Sequence, residues 1–316
     1  MFLSPRTGSQ RMAVAIVNYN TCDHLRACLS SLALEAPGEV VVLDNASADG
    51  SAEMVKAVFP EFKLVVNAVN SGFGAAANRA VQNCEPDYVL LLNSDTLLKP
   101  GAVQALSLYL DQHTQAAIVG PRILNPDGSL QVSCYHFPSP LYAFLRATTM
   151  GSLLRYIPIL REGYLPNWSH DRSRRVPWVL GAALAIRRKA FEEVGGFDES
   201  FFMYSEEVDL CYRLKTAGWQ VHFTPAAEIV HVGGASTVQI KTDMEIQKYS
   251  STTLFYRRHY SSWRIFLLRL IVSYSLLRNL IRDKTRLSMV RRPEQHARVA
   301  EDISMWKRIL WRQWQE

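Results

Sequence analysis

The chain of 316 residues contains no run of eighteen apolar residues free of charge, which excludes a simple membrane-spanning helix. Its opening, MFLSPRTGSQRM, lacks the long apolar core of a secretory signal. Cysteine is scarce: Cys22, Cys28, Cys84, Cys134 and Cys211 form no CxxC pair, and an odd number without paired spacing argues against a disulfide framework and fits a reducing cytosol. Internal repeats and low-complexity tracts are absent. The apolar share, 48%, is too high for disorder, and the length suits one large domain or two small ones. Acidic charge is thin towards the end. Residues 241–316 hold sixteen Lys and Arg against seven Asp and Glu, whereas residues 1–240 hold nineteen against twenty-two. A basic tail on a mildly acidic body implies a polyanionic neighbour, either nucleic acid or an anionic membrane surface.

What is present is a repeated alternation of short apolar runs and helical spacing. Runs of strand length occupy 12–17, 39–43, 63–66 and 88–92. Helical patterns follow at 23–34, from the capping residues Ser47 and Asp49 onwards, at 75–83, and from Pro100 to Asp111. Continuous apolar strands are buried on both faces, so this β-α-β-α-β-α-β order predicts a mostly parallel sheet covered by helices. Ligands of such sheets sit beyond the C-terminal strand ends. Three polar clusters fall there: Asn18–Asn20, Asp44-Asn45 and Asn93–Asp95. Further on, the pattern predicts a strand over 118–124 and a turn at Asn125–Gly128. Residues 135–178 carry five prolines, with Tyr164, Trp168, Arg172, Arg174 and Arg175, and are expected to form a mobile insertion. Strands over 178–187 and 219–223 and helices over 188–194 and 206–217 complete the body. Helices are expected from 241 to the end.

Four groups could carry chemistry. A carboxylate at a strand end, as in Asn93-Ser94-Asp95, can hold a hard divalent cation beside a diphosphate, although these residues also end strands in ordinary turns. Glu206, Glu207 and Asp209 place three acids in four residues, an arrangement that repels itself without a nearby positive charge. The plain reading is a first helical turn capped by Ser205, with Arg213 paired to Asp209 at i,i+4. A lone histidine here is more often structural, and His231 gains weight as a metal ligand only if Asp95 and the acidic helix converge on it. Gly72-Phe73-Gly74-Ala75-Ala76-Ala77 has the form of a dinucleotide fingerprint, with Asp95 21 residues beyond Gly74. It does not follow its strand directly, however, and it leaves the residues 198–236 without a role. An oxidoreductase using NAD(P) is therefore the rival reading.

Taken in order, IVNYN (16–20), VVLDNASADGS (41–51), NSGFGAAANRA (70–80), LLLNSD (90–95), WVLGAALAIRR (178–188), GGFDESFFMYSEEVDLCYRLKTAGW (195–219) and HVGGAS (231–236) resemble the family 2 glycosyltransferases, closest in style to their rhamnosyltransferase-like branch. The resemblance covers about residues 12–236. It implies the GT-A nucleotide-sugar-binding fold as a catalytic domain over 1–240, with 135–178 as an acceptor-side insertion and 241–316 as a basic helical tail. It assigns Asp44 to the nucleotide base, with Asn18, Asn20, Asn45, Asn78, Arg79 and Asn93 near the nucleotide. It assigns Asp95 and His231 to a divalent cation, Mg or Mn. It puts Glu207 in the place of the catalytic base, with Glu206 and Asp209 as alternates, and lines the acceptor pocket with Trp178 and Gly181. The activity implied is transfer of a sugar from a nucleotide donor to a glycan or polyprenyl-diphosphate-linked acceptor in cell-surface polysaccharide synthesis. Rhamnose from dTDP-rhamnose is the favoured donor and a UDP-sugar the alternative. A single displacement needs no carboxylate nucleophile, so inversion is expected.

The tail sequence WRIFLLRLIVSYSLLRNLI (263–281) contains Arg264, Arg269 and Arg278. It suits a helix lying in an anionic membrane surface, which would place the protein at the cytoplasmic face of the cell membrane. Packing on the body or in a homodimer is the alternative. Trp306, Trp311 and Trp314 among basic residues come without a nucleic-acid-binding motif, so nucleic acid is set aside.

Overall fold

Four apolar strands lie side by side and parallel in the computed structural model, which describes residues 8–33, 35–148, 150–157, 163, 165–234, 241–290 and 292–315. They are β1 (Met12–Asn18), β2 (Glu39–Asp44), β3 (Lys63–Val66) and β4 (Tyr88–Asn93). The crossovers between them are α1 (Cys22–Leu32), α2 (Ser51–Val58) and α3 (Phe73–Gln82). Every residue of β1 is buried, as a strand covered on both faces requires. After β4 come β5 (Thr96–Leu98), α4 (Ala102–Gln112) and β6 (Ala116–Leu124). Two-residue strands follow, β7 (Leu130–Gln131), β8 (Cys134–Tyr135), β9 (Arg174–Arg175) and β10 (Trp178–Val179), then β11 (Ala183–Arg187) and β12 (Gln220–His231). The order across the sheet is β3-β2-β1-β4-β11-β6-β12-β5. β11 runs antiparallel to both its neighbours, β12 is parallel to β6, and β5 is antiparallel to β12. Only Ser94 and Asp95 separate β4 from β5, although three strands stand between them in the order. The sheet therefore curls until its far edge returns to the end of β4. This is a GT-A-like α/β fold, parallel over one half and mixed over the other.

Several local expectations change. The run 178–187 is not one strand but two, β10 and β11, separated by a turn at 180–182. The strand placed at 219–223 continues to His231, with a register shift between Thr224 and Glu228, where Pro225 offers no N–H to the ladder. Gly50 holds the N-cap position of α2; Asp49, one residue earlier, still accepts the Ser51 N–H at 3.1 Å, whereas Ser47 bonds Asn18 and Asn20 instead. Ser205 stands at the N-cap of the helix Glu206–Thr216, but in a left-handed conformation and without a side-chain capping bond.

The chain divides into two compact units. One consists of Met1–Phe137 with Trp168–Val238 and contains the sheet. The other joins Pro138–Asn167 to Gln239–Glu316. The segment expected as one mobile insertion over 135–178 is thus shared: its middle belongs with the C-terminal helices, and it carries the helix Pro140–Ala147, capped by Ser139. Tyr164, singled out in that segment, lies outside the described residues, as do positions 235 and 236 of the last resembling stretch.

In the second unit the helices Lys241–His259, Ser262–Met289 and Pro293–Gln315 pack through Ile246, Leu276, Met305 and Ile309, and again through Leu280, Val299 and Ile303. The buried Asp283 is neutralised by Arg282 at 2.9 Å and accepts the Trp306 indole N–H at 3.0 Å. Among the described residues no helix is long and apolar enough to cross a membrane.

Candidate functional site

The register aligns Asn18 with Asp44 and Val17 with Asn93, so the three polar clusters read from the sequence share one edge of the parallel strands. A continuous hydrogen-bonded path joins them. Asp44 is 1% exposed; its Oδ1 accepts the Ser47 N–H at 2.9 Å and its Oδ2 the Asn18 amide at 3.0 Å. Ser47 Oγ accepts from the Asn18 amide and from the Asn20 N–H, while Asn20 Oδ1 accepts the Ala48 N–H. Asn18 Oδ1 accepts the Thr21 hydroxyl at 2.7 Å, and Thr21 Oγ lies 2.6 Å from Ser94 Oγ. The Asn18–Asp44 cluster thus runs directly into the Asn93–Asp95 motif. On its other flank Asn45 Oδ1 accepts from Asn67 at 2.8 Å, and Asn67 Oδ1 accepts from Arg79. Thr21, Ser47 (expected only as a helix cap) and Asn67 were not anticipated in this network. Their types are ordinary turn formers, and only the folded register shows what they connect.

Asn78 is placed differently from Arg79. Its amide donates to Phe197 O and Glu199 Oε1 at 3.0 Å each and accepts the Phe197 N–H at 2.8 Å. It clips the 196–199 loop to α3. The glycine turn serves a similar purpose. The Phe73 N–H donates to Phe202 O at 2.9 Å, and a Cβ on Gly72 would stand 2.4 Å from that oxygen. The start of α3 is therefore covered by the loop that leads to the acidic helix, which explains the fingerprint-like glycines without a dinucleotide.

Asp95 and His231 meet. Strand pairing puts His231 opposite Thr96, the Val232 N–H donates to Asp95 O, and the Gly233 N–H donates to Asp95 Oδ2 at 3.1 Å. His231 Nε2 stands 3.4 Å from Asp95 Oδ1, and its Nδ1 is 2.7 Å from Gln131 Oε1. An amide oxygen can only accept, so the Gln131 contact calls for a proton on Nδ1, whatever Nε2 carries. In the neutral ring Nε2 is then bare, and two electron-rich atoms facing one another fit a hard cation shared between them. The acidic helix does not join them: no group of three or more His, Cys, Asp or Glu side chains gathers among the described residues, so the convergence asked of His231 is met by Asp95 alone.

The acidic helix approaches from the other side of Asn93. The Asn93 N–H donates to Ala182 O at 3.0 Å, fixing the 180–182 turn against the end of β4. A Cβ on Gly181 would sit 3.6 Å from Glu207 Cδ, and the Gly181 N–H bonds the Glu207 carboxylate. Glu207 Oε2 and Glu206 Oε2 are both buried without a hydrogen-bond partner. Burial pushes the Glu207 carboxyl above the usual range, against the pull of its backbone N–H bonds. Burial, then the charge of Glu207, pushes Glu206 well above it. Asp209 differs: Arg213 Nε binds it at 2.6 Å, and the same guanidinium donates to Val194 O and Gly196 O. That is the intrahelical pair expected from spacing, and it also anchors the preceding loop. Tyr204 and Ser205, just ahead of the acids, both have φ of +67°, a strained left-handed pair. Trp178 stacks on Tyr135 with ring centres 4.8 Å apart and donates to His136 O, three residues before Gly181.

The cysteines are free, and burial pushes the thiols of Cys28, Cys84 and Cys134 up to about 12, which removes them as nucleophiles. What remains is a carboxylate with an unpartnered oxygen beside the 180–182 turn, and a carboxylate–imidazole pair just after β4.

Comparison with known proteins shows the family and the fold. Residues 9–249 match the family described as glycosyltransferase like family 2. Over 265 residues the chain is 33% identical to the N-acetylglucosaminyl-diphospho-decaprenol L-rhamnosyltransferase of Mycobacterium tuberculosis, covering 80% of this chain and 86% of that protein. Among solved structures it is similar to the mannosyltransferase PcManGT from Pyrobaculum calidifontis in complex with GDP-Man and Mn2+, with a TM-score of 0.55 at 16% identity over 96% of this chain and 89% of that one. GalNAc-T7 with UDP, GalNAc and Mn2+ gives 0.54 at 16% identity, over 78% of this chain and 50% of that one. The family assignment removes the oxidoreductase reading: this chain belongs to the family 2 glycosyltransferases, and it is a glycosyltransferase of the GT-A fold.

Proposed function

We propose that this glycosyltransferase moves rhamnose from dTDP-rhamnose to a hydroxyl of a polyprenyl-diphosphate-linked sugar, with inversion, in cell-surface polysaccharide synthesis. The rhamnose and lipid-linked parts of this reading rest on the named relative. A UDP-sugar is the alternative donor, because a carboxylate such as Asp44 accepts the imide N–H of either pyrimidine. The observation that carries the chemistry is the buried, half-satisfied carboxylate of Glu207 beside a turn bonded to Asn93, two residues from Asp95.

Asp95 and His231 would hold Mg or Mn, which when bound offsets the charge of the leaving diphosphate. Asp44, Asn18 and Asn20 hold the nucleoside end of the donor, with Asn45 and Arg79 shaping its flank. Glu207 accepts the proton of the acceptor hydroxyl as that oxygen attacks the anomeric carbon. The bond from that carbon to the diphosphate breaks, and its electron pair leaves with the diphosphate oxygen. Because attack and departure occur on opposite faces, the configuration inverts and no sugar is bound covalently to the protein. The raised position of Glu207 suits this work, since a base of ordinary carboxylate strength would hold the proton too weakly near neutral pH. Trp178 offers its indole face to the acceptor sugar, and Gly181 leaves space beside Glu207.

The second unit supplies the location. It holds nineteen Lys and Arg against eight Asp and Glu. Trp263, Leu267, Leu270, Tyr274, Leu277 and Ile281 are exposed at alternating spacings of four and three on the helix Ser262–Met289. Its opposite face buries Leu268, Leu276 and Leu280. An outward apolar stripe on a basic unit fits the interface of an anionic membrane, where a lipid-linked acceptor resides. The protein would then be peripheral at the cytoplasmic face. A homodimer would cover the same stripe.

A panel of nucleotides tests the donor. dTDP, UDP and GDP are added with and without Mn2+, and the melting temperature is read. The expected result is a Mn2+-dependent rise with dTDP. A rise with UDP alone would move the donor, and no rise with any pyrimidine nucleotide would remove the reading.

A further inference from the structure

We infer that Gln131 is a positioning residue that selects the tautomer of His231 and so makes Nε2 available to a divalent cation opposite Asp95. The inference rests on the reading of Asp95 and His231 as metal ligands and adds to it a residue from a different strand. His231 has two acceptors in reach, one at each ring nitrogen: Gln131 Oε1 at 2.7 Å from Nδ1 and Asp95 Oδ1 at 3.4 Å from Nε2. A neutral ring has one proton to give. Were it on Nε2, it would be donated to Asp95, and both ligand atoms would be consumed in one internal hydrogen bond. With the proton on Nδ1, donated to Gln131, Nε2 keeps its lone pair and Asp95 Oδ1 keeps its charge. The shorter contact is the one to Gln131.

The amide of Gln131 is itself held so that oxygen, not nitrogen, meets the ring. Its Nε2 donates to Asn125 Oδ1 at 2.9 Å and reaches His231 O at 3.5 Å. The Asn125 amide nitrogen in turn donates to Ser129 Oγ at 2.8 Å and reaches Leu130 O at 3.5 Å. Two backbone carbonyls, which can only accept, therefore fix the orientation of both amides. The hairpin does the rest. The Asn125 N–H donates to Ser129 O, the Gly128 N–H donates to Asn125 O, and β7 pairs with β6 so that Gln131 lies opposite Ile123. The Asn125–Ser129 turn, which the transfer chemistry does not use, becomes the base of a three-residue relay, Asn125 to Gln131 to His231. An acceptor behind a metal-binding imidazole fixes its tautomer and raises its basicity, and loss of such a group costs about 10–100-fold in metal affinity.

The test titrates the full-length protein with Mn2+ alone and reads bound metal by electron paramagnetic resonance. Gln131→Leu is expected to weaken binding by about 10–100-fold. Gln131→Glu, which keeps an acceptor at the same place, is expected to retain it within a few-fold. In a His231→Ala background, Gln131→Leu should add no further loss, because its effect passes through that ring. Unchanged affinity in Gln131→Leu while His231→Ala loses metal would overturn the inference and leave the metal site standing. Unchanged affinity in His231→Ala and Asp95→Asn would instead overturn the metal site itself. Independently of any Gln131 variant that fails to fold, 15N histidine spectra of the metal-free wild type at alkaline pH report the tautomer. A protonated Nδ1 and a bare Nε2 on His231, assigned by its loss in His231→Ala, support the inference; the reverse pattern contradicts it.

Discussion

Glu206 and Glu207 are neighbours on one helical turn, yet their surroundings differ. Glu207 has backbone N–H partners on one side of its carboxylate and none for Oε2, whereas Glu206 is buried beside a second acid. Burial raises both carboxyls, and the charge of Glu207 raises Glu206 further. Because Glu207 must be ionised to take a proton, the acid limb of the transfer rate is expected above the ordinary carboxylate range. A pH–rate profile with a limb near pH 4 would argue against it as base. The same shifts bear on stability. A carboxyl whose folded pKa is raised binds more protons in the folded state than in the unfolded one, so stability falls as pH rises from the ordinary carboxylate range through the folded pKa. Glu206→Gln is therefore expected to flatten that fall, raising the melting temperature at pH 8 and changing it little at pH 5. Equal effects at both pH values would contradict the assignment. The sequence displayed all three acids and even the Asp209–Arg213 pair, because i,i+4 spacing is local information. Which acid meets the 180–182 turn was hidden, since that depends on Gly181, a residue 26 positions from Glu207.

Among the elements, the loop before the acidic helix carries the most constraint. It starts under the Asn78 clip, crosses the start of α3 at Phe202 and ends in the left-handed Tyr204-Ser205 pair. Gly50 (φ 83°, ψ 10°) lies in the left-handed region and faces nothing within 4 Å, whereas Gly72 (φ 82°, ψ 172°) lies in a region open essentially to glycine alone and also faces Phe202 O at 2.4 Å from a built Cβ. Gly50→Ala should cost about 1–2 kcal/mol, the left-handed penalty alone. Gly72→Ala should cost a further 1–3 kcal/mol, roughly the range for overpacking, and should lower transfer by displacing the loop. Urea unfolding of the two variants checks the difference; equal costs would mean that the loop does not press on Gly72. The parallel half of the sheet was legible because apolar runs alternated with 3.6-residue spacing. The mixed half was not. An apolar run such as VLGAALAIR does not announce its direction or the break at 180–182, and Thr224-Pro225 looked like an end although β12 passes through it as a register shift. Gln131 was missed for the same reason: its two-residue strand is too short to show a period.

At the scale of the whole molecule, charge and exposed apolar surface are both unevenly shared between the two units. If the helix stripe meets lipid, Leu270→Glu with Tyr274→Glu should abolish sedimentation with anionic vesicles while leaving transfer to a water-soluble acceptor analogue unchanged. Loss of a dimer on sizing, with vesicle binding intact, would give the stripe to a second copy of the chain. The sequence showed the basic tail and its amphipathic helix. It did not show that 138–167 belongs with that helix, because contacts between segments a hundred residues apart leave no local pattern.

The most direct test of the account is turnover by the purified protein with dTDP-rhamnose, Mn2+ and a polyprenyl-diphosphate N-acetylglucosamine acceptor, comparing wild type with Glu207→Gln. The account predicts a rhamnosylated product of inverted configuration and a kcat about 10²–10⁴-fold lower in the variant, with Mn2+ affinity preserved. A variant that turns over as fast as wild type, or a product of retained configuration, would contradict it.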